Sequence, residues 1–144
     1  MRNDNITIRK ATPDDVQEVY RLICALENDK FDYNAFMRIF EGNLNNPGCF
    51  YRVAEIDNKI IGFISLHIQQ LLHHCGAVGE IQEFYIDHDY RGKGIGKSLM
   101  NEAKKYAETK DVKSLEVTSN KKRTENVQVY EHLGFQLTHN KFTI

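Results

Sequence analysis

Two carboxylates and a glycine-rich turn are the residues of this 144-residue chain whose types and spacing could do chemistry. Glu80 and Glu83 sit in the strand-like run Glu80-Ile81-Gln82-Glu83-Phe84-Tyr85-Ile86, just before Arg91-Gly92-Lys93-Gly94-Ile95-Gly96. Lys97 opens a helix-like run to Ala107. Glycine lets the backbone take positive φ and approach a ligand closely. A helix N-terminus adds unpaired N–H groups and partial positive charge, which together make a pyrophosphate site. Arg91, Lys93 and Lys97 favour an anion there over an ordinary helix cap. The glycine spacing fits neither the dinucleotide fingerprint nor a Walker loop. A carboxylate on the strand could act as a general base. Strand alternation sends Glu80 and Glu83 to opposite faces unless a bulge intervenes.

The elements that must position these groups follow from pattern. Ile6-Thr7-Ile8-Arg9-Lys10 alternates as a strand. Thr12-Pro13-Asp14-Asp15 is a helix start, with a capping Thr, Pro at the first helical position and acids on the dipole. Val16, Val19, Tyr20, Ile23 and Leu26 continue it at helical spacing. A second helix is expected over Tyr33 to Leu44, ended by Asn45-Asn46-Pro47-Gly48. Phe50 to Ile56 and Lys59 to Ile68 read as a hairpin turning at Asp57-Asn58. Leu71 to Gly76 is a break, and Ala77 to Ile86 is the strand feeding the glycine loop. A helix follows from about Gly94 to Thr109. Ser114 to Thr118 is expected as a strand, Glu125 to His132 as a short helix capped by Gly134, and Phe135 to Ile144 as a last strand.

Length suits one domain, residues 1–144, with one substantial core. Apolar content of 41% and charged content of 27% are those of a globular protein. A net charge of −1 supplies no field toward nucleic acid or membrane. Cys24, Cys49 and Cys75 read as reduced thiols of a cytosolic protein. The polar start Met1-Arg2-Asn3-Asp4-Asn5 does not open a signal peptide, and no apolar run approaches the ~20 residues of a spanning helix.

Arg91-x-x-Gly94-x-Gly96 fits the [Gln/Arg]-x-x-Gly-x-[Gly/Ala] acyl-CoA loop, so the chain resembles the GCN5-related N-acetyltransferases. Tyr130-Glu131-His132-Leu133-Gly134-Phe135 resembles a second block of that superfamily. A narrower likeness runs through Leu22-Ile23-Cys24-x-Leu26, Phe31-Asp32-Tyr33-x-Ala35-Phe36, Asn43-Leu44-x-x-Pro47, Ile64-Ser65-Leu66-His67, Leu72-His73-His74, Gly79-Glu80-Ile81-Gln82-Glu83 and Asn120-x-Lys122-Arg123. These resemble the aminoalkylphosphonate N-acetyltransferases of bacterial phosphonate metabolism. The chain departs from that pattern at His88, at Asn126-Val127-Gln128-Val129 and in the tail from Thr138.

The resemblance implies an α/β (α+β) acetyltransferase fold: a mixed, mostly antiparallel sheet flanked by helices, with two parallel strands splayed to hold acetyl-CoA. It implies Phe84, Tyr85, Ile86, Arg91, Gly92, Lys93, Gly94, Ile95, Gly96, Lys97 and Asn126 at the acetyl-CoA, with a backbone N–H near Phe84 or Tyr85 for the oxyanion. Glu80 is the base implied by family position, with Glu83 the alternative. Tyr130 is placed at the sulfur. A thiol near ~8.5 is a stronger acid than a phenol near ~10, so Tyr130 hydrogen-bonds the nascent thiolate rather than protonating it. For the acceptor, His67, His73, His74, Lys122, Arg123 and Lys141 are the candidate partners of a phosphonate. His73-His74-Cys75 lacks a four-ligand zinc pattern; a divalent metal bridged by substrate stays open.

The expected protein is therefore a homodimeric, acetyl-CoA-dependent N-acetyltransferase in which a small primary amine, an aminoalkylphosphonate first among candidates, attacks the thioester directly in a ternary complex. Polyamine, aminoglycoside or protein N-terminal acetylation on the same fold remains an alternative, as does a non-catalytic acyl-CoA-sensing module.

Overall fold

The computed structural model describes residues 5–144; the polar start Met1–Asp4 lies outside the described residues. One five-stranded sheet runs in the order β1 (Ile6–Lys10), β2 (Cys49–Ile56), β3 (Lys59–Leu71), β4 (Gly76–Ile86), β5 (Ser114–Val117). The first four strands pair antiparallel; β4 and β5 pair parallel. Four α-helices flank it: α1 (Val16–Glu27), α2 (Tyr33–Leu44), α3 (Ile95–Thr109) and α4 (Glu125–His132).

Both faces of the sheet are covered, so β3 reads as a nearly continuous apolar run rather than an alternating one. On one face α3 buries Ile95, Leu99, Met100, Ala103 and Ala107 against Ile61, Ile64, Leu66 and Ile81. On the other, Val19, Leu22 and Ile23 of α1 and Phe40 of α2 pack on Tyr51, Val53 and Phe63. Each buried Val, Leu, Ile, Phe or Met among these contributes about 1.5–3 kcal/mol.

The entry to α1 is pinned to the sheet. Thr12 is extended at φ −124°, and Pro13–Asp15 form a 3-10 turn ahead of the helix proper. Asp15, 6% exposed, takes two 2.8 Å bonds from Arg9 of β1 and one of 2.8 Å from the Thr12 N–H. Asp32 caps α2 by accepting from the Ala35 N–H at 3.0 Å.

The expected last strand is not present. After Phe135, which packs against the α3-side core, residues 136–144 pair with no strand and lie exposed. The reason is in the pattern. Leu137 is odd-numbered while Phe142 and Ile144 are even, so an extended segment would put its apolar side chains on opposite faces. The other boundaries move by a few residues at most: β3 runs on to Leu71, and a 3-10 turn at Leu72–His74 fills the expected break.

Candidate active site

Two irregularities of β4 make the site. The first is a bulge. Ser65 pairs with Glu83 but the next residue of β3, Leu66, pairs with Ile81, so Gln82 is the extra residue. Its consequence is a phase shift. Glu80 lies opposite His67 and Glu83 opposite Ser65, and His67 and Ser65 are two apart on one strand. The two carboxylates therefore share the α1/α2 face. The second irregularity is a parting. β5 pairs with β4 only from Val78 to Ile81, while β4 continues to Ile86. Beyond Ile81 an open seam leads toward the glycine turn.

That turn is shaped by two left-handed glycines, Gly92 at φ +76° and Gly94 at φ +82°. A Cβ built on either meets nothing within 4 Å, so the space above the loop is open. Gly94 is the N-cap of α3, and the first-turn N–H groups of the helix face this opening. Such a cradle fits the pyrophosphate of CoA. The named loop residues divide by task. Arg91 ties the loop to the strand end, its Nε donating to the Ile86 carbonyl at 2.9 Å and its guanidinium 5.0 Å from the Tyr85 ring centroid. The Lys93 ammonium lies 5.5 Å from the Tyr90 ring centroid. Ile95 is a core residue that anchors the helix start, whereas Lys97 is exposed on its first turn. Gly96 packs closely on the strand: a Cβ there would lie 3.2 Å from Phe84 Cζ, so that ring would have to shift by a few tenths of an ångström.

Phe84 and Ile86 turn toward the α3 core, Tyr85 toward the opposite one. The Phe84 ring lies 6.4 Å from that of Tyr130, which in turn stands edge-on to Phe135 at 6.0 Å. Tyr130 is thus set across the seam from the glycine loop. Burial pushes its phenol up, and the Arg123 charge partly opposes this. Asn126 bonds Ser119 Oγ at 3.2 Å and holds the first turn of α4 to the end of β5.

On the α1/α2 face lies a cavity of about 370 Å³. Its walls are apolar and aromatic, chiefly Phe31, Phe36, Phe40 and Tyr51, and its charged lining is Glu27 and Glu83. Ser65, fully buried, donates to the Glu83 carboxylate and accepts from the Glu83 N–H at 2.9 Å. The negative charge is felt around it. Burial first, and Glu83 second, push the Cys49 thiol up. Tyr51 is pushed up to about 12 by burial, with the Asn43 hydrogen bond pulling back and Glu83 adding to the rise.

Glu80 is held elsewhere: its carboxylate accepts from Thr118 Oγ1 at 2.9 Å, and it does not line the cavity. Register aligns His67, Glu80 and Glu116 across β3, β4 and β5, and His74 Nε2 is 3.9 Å from Glu116. Among the described residues no three His, Cys, Asp or Glu side chains converge to hold a metal, so the residues present do not fit a metal centre. His67 instead meets Cys49 Sγ at 3.6 Å, and His73 meets His74 edge-on, ring centroids 4.4 Å apart, at the far end of the β3–β4 hairpin. Lys122 and Lys141 are exposed, away from the cavity lining. Of the six acceptor candidates, Arg123 meets the cavity wall through Glu27 Oε2 at 3.3 Å and the neighbouring Leu26 carbonyl at 2.8 Å, and the His67 ring lies 6.3 Å from that of Tyr51 behind it.

The sequence reading missed the cavity because its walls come from five separate segments. Ser65 left a trace: it is a lone hydroxyl in the apolar run Ile60–Leu66.

Comparison with known proteins bears on the family and the fold. The acetyltransferase (GNAT) family matches over residues 14–135. The chain is 38% identical over 136 residues to the aminoalkylphosphonate N-acetyltransferase of Salmonella typhimurium, covering 94% of this chain and 88% of that one. A transcriptional regulator from Bacillus halodurans superposes with a TM-score of 0.87 at 22% identity, over 96% of this chain and 98% of that one. An aminoglycoside N-acetyltransferase solved with CoA does so at 0.86 and 18%, over 96% and 93%. At these identities the two structures speak for the fold alone. The mixed sheet, the glycine loop at the head of α3 and the sequence match together place the chain in the GNAT acetyltransferase family, as an N-acetyltransferase.

Proposed function

We propose that the protein transfers the acetyl group of acetyl-CoA to the primary amine of an aminoalkylphosphonate, by direct attack in a ternary complex. The observation that carries the acceptor is the 38% identity, spread over 94% of the chain, to an enzyme of that activity. In this reading the glycine loop and the α3 N-terminus take the CoA pyrophosphate, and the pantetheine arm enters the seam between β4 and β5. A backbone N–H near Phe84 or Tyr85 faces the oxyanion. Tyr130 stands at the sulfur. A β4 carboxylate, Glu80 or Glu83, takes the amine's proton. The acceptor enters the α1/α2 cavity with its amine toward β4, and Arg123 at the rim is the cation nearest its anionic end.

One observation favours a second reading. The charged side chains of the cavity lining are both carboxylates, which suits an acceptor that is cationic and apolar rather than anionic. The same experiment separates the two. We expect kcat/KM for 2-aminoethylphosphonate to exceed that for ethylamine on the order of a hundredfold, because a missing oxyanion leaves its cationic partners unpaired. Steady-state thiol release with the phosphonate, ethylamine and spermidine measures it. Equal values, or a preference for spermidine, would sink the phosphonate reading. The three free cysteines suit a reducing cytosol, and the exposed Leu137, Phe142 and Ile144 of the tail suit a homodimer; light scattering tests the latter.

A further inference from the structure

We infer that Glu83, pinned by the buried hydroxyl of Ser65, is the group that accepts the acceptor amine's proton. The inference rests on the N-acetyltransferase reading above and chooses between its two carboxylates. Three observations separate them. Glu83 lines the cavity on the α1/α2 face and Glu80 does not. Glu83 is the residue directly after the bulge at Gln82, next to Phe84, where β4 has already parted from β5. Glu80 is still inside the paired stretch, cross-strand from Glu116, with its carboxylate engaged by Thr118.

Ser65 explains why the carboxylate stays there. A bulge takes a backbone N–H out of the regular ladder. Here the Glu83 N–H is met by Ser65 Oγ, and the same hydroxyl donates back to the Glu83 carboxylate. One fully buried side chain therefore satisfies the bulge and fixes one carboxylate oxygen. Glu83 itself lines the cavity. Ser65 is a positioning residue in this scheme; Glu83 meets the amine.

The step balances as follows. The ammonium gives one proton to the Glu83 carboxylate and enters the reaction neutral. Nitrogen attacks the thioester carbonyl carbon, so a C–N bond forms and the C–S bond then breaks. As the intermediate collapses the sulfur departs as thiolate beside Tyr130, and the second nitrogen proton passes to it, directly or through water, to give the CoA thiol. Glu83 returns its proton to solvent.

The test uses the reason a base is needed. An alkylamine of pKa near ~10.4 is almost wholly protonated at pH 7, whereas near pH ~9.5 about a tenth of it is neutral, a gain of roughly two to three hundredfold in the reactive form. Wild type, Glu83→Gln, Glu80→Gln and Ser65→Ala are assayed at both pH values with the best amine of the panel. Acetyl-CoA affinity by calorimetry and circular dichroism verify each fold. For Glu83→Gln we expect a loss in kcat on the order of a hundredfold near pH 7 that shrinks to about tenfold or less near pH 9.5. Ser65→Ala should show a smaller loss with the same pH trend, and Glu80→Gln a loss that does not vary with pH. Should Glu83→Gln prove unstable, Glu83→Asp, which keeps the carboxylate but shortens its reach, should show a lowered kcat with the wild-type pH trend. A pH-rescued loss in Glu80→Gln, or a flat one in Glu83→Gln, overturns this inference alone. Wild type that turns over no amine overturns the N-acetyltransferase reading and this inference together.

Discussion

Tyr130 illustrates how burial changes what a single residue can do. Proton transfer from a phenol near ~10 to a thiolate near ~8.5 is already uphill by about 2 kcal/mol. Burial moves Tyr130 further in that direction. The hydroxyl is thereby a better hydrogen-bond donor in place than a proton donor in fact. In the proposed mechanism its contribution would appear only as charge grows on sulfur. Tyr130→Phe should therefore lower kcat roughly tenfold, the worth of a hydrogen bond to a charged group, and leave acetyl-CoA affinity nearly unchanged. Steady-state kinetics with a calorimetric titration would show it. A change confined to KM would make Tyr130 a binding residue instead. Tyr130 was legible in the sequence through its distance from Gly134-Phe135. Ser65's role was not: nothing in a sequence says that a lone serine lies beside a bulge two residues after Glu80, since the pairing that joins Ser65 to Glu83 spans 18 positions.

At the scale of elements, the loop-to-α3 junction was the best-written part of the chain. Glycine spacing, flanking cations and helical periodicity all pointed to it, and Gly92 and Gly94 do take the left-handed conformation. The structure refines what a substitution there would do. A Cβ at Gly94 touches nothing in the protein, so its cost to the fold is the strain of φ +82° alone. That is of order 1–3 kcal/mol for a β-branched residue. Gly94→Val should leave a folded protein, with melting slightly lowered, whose acetyl-CoA binding falls below detection because the side chain projects into the cradle. Unchanged affinity in calorimetry would remove the loop from the binding site. The C-terminal segment was the worst-written part. Apolar residues at 137, 142 and 144 look strand-like by composition, yet their parity changes midway, and no strand forms.

Across the whole molecule, one charge cluster links the first strand to the helix that walls the cavity. Burial alone would raise the Asp15 carboxyl, but the Arg9 and Thr12 hydrogen bonds win and hold it below the usual carboxylate range. Arg9 also reaches Glu55 of β2 at 3.0 Å, so three elements meet there. A carboxyl depressed in the folded state stabilises the protein above the unfolded value of ~3.9, and that stabilisation is lost as pH falls through the folded value. Asp15→Asn should accordingly cost roughly 1–3 kcal/mol near neutrality, by leaving buried donors short of an acceptor. The penalty should shrink at about pH 3, below the unfolded value, where the unfolded wild-type carboxyl is already mostly protonated and the charged folded form has lost part of its advantage. Urea melts of both proteins at the two pH values decide it; a penalty equal at both would mean that charge plays no part.

β4 outlasts its parallel neighbour by five residues, from Gln82 to Ile86. A sheet that stops pairing in mid-strand is an unfinished edge, and unfinished edges invite a guest backbone. The pantetheine arm of CoA carries amides of its own. Lying in that seam, it would serve as a borrowed strand, so that loading the co-substrate and completing the sheet become one event.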